Sequence, residues 1–119
     1  MLTKREQYGL TFTKWMEPES NELYNICSRD EVGVYSHLTF IRYLNVGELN
    51  AIIKEITNAQ NGQIYDSLPS SDSYEDVSLE LSFPNITIDD VLTVPMEDFK
   101  ELLLEWIDFI SIEPSQTSR

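Results

Sequence analysis

Val94 to Ile112 reads VPMEDFKELLLEWIDFISI, and its periodicity decides how the C-terminal half of the chain must fold. At about 100° per residue, Phe99, Leu102, Leu103, Trp106 and Ile110 share one arc of a helix, with Ile107 and Phe109 at its margins. Such a stripe has to face a core. The opposite arc carries Glu97, Asp98, Glu101, Glu105 and Asp108, and Lys100 is the only base in the helix. Each like-charge contact at i,i+4 or i,i+3 along Glu97, Glu101, Glu105 and Asp108 costs roughly 0.2–0.5 kcal/mol. Glu97 and Asp98 gain from the positive end of the helix dipole, whereas Glu105 and Asp108 lie towards the negative end. Interspersed lysines would solvate the helix equally well, so this one-signed face is a candidate functional surface, with plain solvation as the alternative reading.

Working back towards the N-terminus, Val77, Leu79, Leu81 and Phe83 alternate with Ser78, Glu80 and Ser82, which predicts a strand. Pro84-Asn85 marks a turn, and Ile86, Ile88, Leu92 and Val94 continue the two-residue period as a hairpin partner. Asp90 falls on the apolar parity of that run. Either Asp89-Asp90 breaks the strand or one carboxylate points inward, and the break is favoured because an unpaired buried acid is costly. Residues 63–76, QIYDSLPSSDSYED, are polar and contain Pro69; they are expected to form a flexible loop. Before them, VGELNAIIKEITNAQ predicts a helix with Leu49, Ile52, Ile53 and Ile56 on its apolar face. Asn45 and Glu48 stand in capping-box positions, and Asn61-Gly62 forms the stop.

The first third is less regular. Gln7 to Met16 alternates as a strand, with Tyr8, Leu10, Phe12 and Met16 on one side and Thr11, Thr13 and Trp15 on the other. After Pro18, the spacing of Leu23, Ile26 and Cys27 predicts a short helix, the alternative being a structured loop. From His37 to Leu44 the β-branched and aromatic content predicts another strand. The expected fold is therefore α+β: one domain over residues 1–119, a mainly antiparallel sheet of about four strands packed against two to three helices, and a frayed tail at 113–119.

Net charge is −13, and it is unevenly distributed. Residues 1–45 hold five Lys/Arg against six acids, but residues 46–119 hold three against fifteen, so the negative field belongs to the C-terminal part. Phosphate backbones and anionic lipid would be repelled, which argues against direct nucleic-acid or membrane binding and for a basic protein partner. One cysteine permits no internal disulfide. The opening MLTKREQYG has charges but no apolar segment behind them, so a cytoplasmic protein is expected.

No catalytic, cofactor or metal constellation emerges. Cys27 and His37 lack any local signature of a nucleophile and its base, and Cys27 reads as a small core residue. Asp66, Asp72, Glu75 and Asp76 fail the calcium-loop pattern, which requires alternating ligands, a central glycine and a closing glutamate. None of the four glycines builds a phosphate-cradling run. An enzyme is not expected.

The segment from Val94 through Pro95 to Trp106, a strand end running through proline into an acidic amphipathic helix, resembles the closing part of the small acidic immunity proteins encoded beside bacterial polymorphic and contact-dependent growth-inhibition toxins. The resemblance covers about a quarter of the chain. It implies a protein that binds and blocks a cognate toxin domain, often a basic nuclease, as a monomer or weak homodimer. The contact expected on that reading involves Tyr65, Asp66, Asp72, Tyr74, Glu75, Asp76, Glu80, Asp89, Asp90, Glu97, Glu101, Glu105 and Asp108. Two alternatives remain open: an acidic secretion chaperone that holds an effector segment, and a DNA mimic that inhibits a DNA-binding protein.

Overall fold

Leu79, Leu81, Ile86, Ile88, Leu92 and Val94 are all buried, and together they form the apolar floor on which the last helix lies. The computed structural model describes residues 3–68 and 77–111. In chain order these form α1 (Lys4–Gln7), β1 (Leu10–Met16), β2 (Leu23–Arg29), a 3-10 helix (Val34–Tyr43), α2 (Val46–Gln60), β3 (Leu79–Ser82), β4 (Asn85–Ile88), β5 (Leu92–Pro95) and α3 (Met96–Ile110). The fold is α+β, with an antiparallel ribbon β1–β2 and an antiparallel three-stranded sheet β3–β4–β5. Helix α3 packs on β4, β5, α1 and α2, while the 3-10 helix packs on β2 and β5.

In place of one sheet of about four strands there are five strands in two sheets: residues 23–29 add a strand, residues 34–43 remove one, and the break at Asp89-Asp90 divides the last run in two. Residues 23–29 form a strand rather than a short helix, paired with β1 in a register that sets Phe12 opposite Cys27 and Trp15 opposite Tyr24. Pairing satisfies the backbone groups that β1 would otherwise leave open, and Tyr and Ile suit a pleated surface better than a helix. The connection is a tight turn in which Asn21 takes φ 58°, a conformation asparagine tolerates better than most residues.

Residues 34–43 form a 3-10 helix where His37–Leu44 was expected to be a strand. A strand would have set Ile41 opposite Leu38 and Leu44 and buried Arg42 with them. In a 3-10 helix residues i and i+3 eclipse, so Leu38 and Ile41, with Leu44 just beyond the helix end, point together into the core while Arg42 stays exposed. At ten residues the run is longer than the three or four usual for this geometry, and its packing against β2 and β5 supports it.

The break expected at Asp89-Asp90 is present, whereas two side chains expected to point inward do not. Asp89 and Asp90 both adopt positive φ, 56° and 58°, and break the run into β4 and β5, leaving Asp90 exposed. Phe83, expected to point inward, is exposed because β3 ends at Ser82 and Phe83 belongs to the turn. Met16 is likewise exposed, at the far end of the ribbon. Most of the flexible-loop expectation, residues 69–76, and the expected frayed tail lie outside the described residues.

Helix α2 runs over Val46–Gln60 with its capping box complete. Glu48 N donates to Asn45 Oδ1 at 2.8 Å, and Asn45 N donates to Glu48 Oε1 at 3.0 Å. Asn45→Ala leaves Glu48 N without that acceptor and is expected to cost about 1 kcal/mol. A urea titration checks it: the midpoint should fall while the slope stays constant, and an unmoved midpoint would mean that the cap contributes nothing.

Candidate functional site

The acidic arc of α3 is not left entirely to solvent, because the N-terminal residues fold onto it. Asp98 receives the Lys4 ammonium at 2.9 Å and the Tyr8 hydroxyl at 2.6 Å. Glu105 accepts two backbone N–H groups, from Lys4 at 2.8 Å and Arg5 at 3.0 Å, and so caps the first turn of α1. Thr3 and Glu6 complete that turn with a second capping box, and the hydrogen bonds from Thr3 hold the Glu6 carboxyl below its ordinary range. Lys4 also approaches Glu101, at 3.8 Å. The like-charge repulsion read along the helix is therefore relieved by a cation and two backbone dipoles from far away in the sequence.

These contacts shift the groups involved. Burial opposes ionisation of Asp98, but the hydrogen bonds from Tyr8 and Lys4, together with the Lys4 charge, outweigh it and hold the carboxyl below its usual value. Burial and the hydrogen bond to Asp98 push the Tyr8 phenol well above its ordinary range. The hydrogen bond to Asp98 raises Lys4 in turn.

The residues expected to meet a partner are distributed as follows. Glu97, Glu101 and Asp108 are exposed on α3; Glu80 is exposed on β3, Asp90 in the β4–β5 turn and Asp66 beyond α2. Glu105 is half-buried under α1. Asp89 is engaged internally: Oδ2 lies 3.0 Å from His37 Nδ1, and Oδ1 accepts Ser78 N. Tyr65 packs against the core, and its hydroxyl accepts Phe83 N at 3.2 Å, so it braces the β3–β4 turn. Asp72, Tyr74, Glu75 and Asp76 lie outside the described residues.

Cys27 is fully buried opposite Phe12, and burial pushes its thiol up to about 12, so it supplies no thiolate near neutrality. Among the described residues, no group of three or more His, Cys, Asp or Glu is placed to hold a metal ion. No helix among them is long and apolar enough to cross a membrane.

A surface that the sequence reading missed lies at the far end of the β1–β2 ribbon. Trp15 and Tyr24 stack there with ring centroids 5.7 Å apart and planes 27° apart, and they remain 50% and 43% exposed. Met16 and Leu23, the next register pair, are exposed on the opposite face. The connecting turn carries Glu17, Glu19 and Glu22, and Tyr24 donates its hydroxyl to Glu22 at 2.7 Å. Reading residues 23–29 as a helix hid this pairing. The usable signal was two aromatic residues equally far from the Pro18-Glu19-Ser20-Asn21 turn.

No protein-family model matches the chain, and neither does any curated protein or solved structure. The functional reading accordingly rests on the chain's own residues.

Proposed function

We propose that this chain is an immunity-type inhibitor: a cytoplasmic, non-catalytic protein that binds a cognate basic toxin domain, of nuclease class, and blocks it. One observation carries the reading. Among the described residues Lys4 is the only lysine or arginine in an ion pair, so most of the described acidic side chains have no Lys or Arg counter-charge of their own. Glu80, Asp90, Glu97 and Asp108 stand exposed on a rigid α+β frame. A preordered negative field accelerates encounter with a basic partner and rejects acidic ones. The resemblance of Val94–Trp106 to the closing segment of immunity proteins adds the partner class.

The test looks for a toxin domain encoded in an adjoining gene and pairs it with the purified chain; a neighbourhood without one would count against the proposal. Co-expression should restore growth, and the association rate should fall several-fold as ionic strength rises from about 0.05 to 0.2 M. Failure to protect, with no complex by calorimetry, would overturn the proposal. Inhibition of unrelated DNA-binding proteins would point instead to DNA mimicry. A stable dimer that protects only an unfolded effector segment would point to a chaperone.

A further inference from the structure

We infer that the basic partner docks on the outer face of the β1–β2 ribbon end, where an arginine-bearing segment stacks on Trp15 and Tyr24 and pairs with the carboxylates of the turn. This rests on the reading above and moves its centre of contact away from residues 66–108.

Three observations converge. Trp15 and Tyr24 face each other across the register and stack, so their exposed rings form one continuous patch. Met16 and Leu23, exposed at the same end, lie on the opposite face and are not part of this patch. Scattered exposed apolar residues need no explanation, whereas a contiguous group rimmed by charge marks an interaction surface.

The rim is acidic and lacks cations. Among the described residues, no Lys, Arg or His lies within ion-pair distance of Glu17, Glu19 or Glu22. Lys14, the nearest base in sequence, belongs to the other face of the ribbon. There its ammonium lies 2.7 Å from Asn25 Oδ1 and 4.5 Å above the Phe109 ring. Nothing basic from the ribbon therefore competes for the Trp15–Tyr24 face.

The turn is also held in place. Glu17 N donates to Glu22 O and Asn21 N to Glu17 O, each at 2.8 Å, and the Glu17 carboxylate accepts from Glu19 N and Ser20 Oγ. Tyr24 fixes Glu22 beside the rings. A partner arriving here has little left to order, which favours affinity.

The chemistry of the occupant follows. Exposed indole and phenol faces attract cations, and a guanidinium is planar enough to stack while its N–H groups bond a carboxylate two at a time. A lysine ammonium can pair with the carboxylates but cannot stack. Aromatic residues preordered within a charged rim are the usual centres of binding energy.

Deca-arginine and deca-lysine peptides are the probes, titrated by calorimetry into the wild-type chain, into Trp15→Ala/Tyr24→Ala and into Glu97→Lys/Asp108→Lys. All four substituted residues are exposed, and unfolding midpoints of the variants check that they fold. Wild type should bind deca-arginine about tenfold more tightly than deca-lysine, and the aromatic double variant should lose that preference. The α3 variant should keep it. An equal preference in wild type and the aromatic variant, or loss only in the α3 variant, overturns the placement. So does a wild-type dimer in sedimentation that becomes monomeric in the aromatic variant, because the patch would then serve self-association. The adjoining toxin domain separates the two levels. If it binds wild type and Trp15→Ala/Tyr24→Ala equally, the inhibitor reading stands and this surface falls. If it binds neither while the deca-arginine preference follows the aromatics, the surface stands and the inhibitor reading falls.

Discussion

Trp106→Ala should lower the folding free energy by about 3–5 kcal/mol, the range for removing a large aromatic from a closed core. Trp106 is 1% exposed and sits where the two halves of the molecule meet. Its ring meets Phe12 of β1 edge-on, 4.9 Å between centroids at 76°, and stacks on Phe109 one turn along α3, at 5.7 Å and 22°. Truncation therefore opens a cavity and also removes one of the aromatic contacts between the N-terminal ribbon and the C-terminal helix, leaving Phe12 against Phe109 at 5.6 Å. Domains of this size are stable by about 5–15 kcal/mol, so the loss consumes a large share and can unfold the chain at 37 °C. Urea unfolding followed by far-ultraviolet circular dichroism reads the effect. Leu104→Ala, on the exposed side of the same helix, is the control and should change stability by no more than about 0.5 kcal/mol. If Trp106→Ala cost as little as the control, the ribbon would not be docked on α3 as described.

The C-terminal half was legible because its patterns are long and mutually consistent. The apolar stripe of α3 and the alternating residues of β4 and β5 pack on one another as their periods require, and the Asp89-Asp90 break cost less than a buried acid. The N-terminal half misled through ambiguity of period. Leu23, Ile26 and Cys27 satisfy helical spacing, yet only the proximity of β1, set by a turn at Asn21, decides for a strand. The segment from Tyr35 to Leu44 follows a period of three, which lies between the two templates and fits neither. The site suffered in the same way. Nothing local to Glu105 indicates that backbone donors 100 and 101 residues away will occupy it. Net charge predicted a basic partner, but the Trp15–Tyr24 pair became visible only once the ribbon was formed.

The clasp between α1 and α3 makes stability depend on pH at both extremes, and Asp98→Ala should abolish the acid side of that dependence. In the folded chain Asp98 binds its proton more weakly than in the unfolded chain, whose carboxyl titrates at the ordinary value of 3.8. The unfolded state therefore takes up the proton first as pH falls. The contribution of Asp98 is complete above that value and is lost as pH drops through the lower folded one. Tyr8 acts at the other end. Its phenol is raised from 10.0 by burial and by donation to Asp98, so the unfolded state ionises first and stability declines once pH passes that value. At neutral pH, Asp98→Ala leaves the Tyr8 hydroxyl, on a residue only 9% exposed, without its acceptor and frees Lys4 from its closest partner. A loss of about 1–3 kcal/mol is expected from the unpaired hydroxyl. Tyr8→Phe/Asp98→Ala removes donor and acceptor together and should be less destabilised than the sum of the two single variants, because no hydroxyl is then left unsatisfied. Urea unfolding at pH 3, 7 and 10.5 tests all of this together. The gap between wild type and Asp98→Ala should narrow most at pH 3 and change little between pH 7 and 10.5, because the burial that raises Tyr8 persists in the variant. A gap that stays constant with pH would mean that Asp98 contributes by packing rather than by its charge.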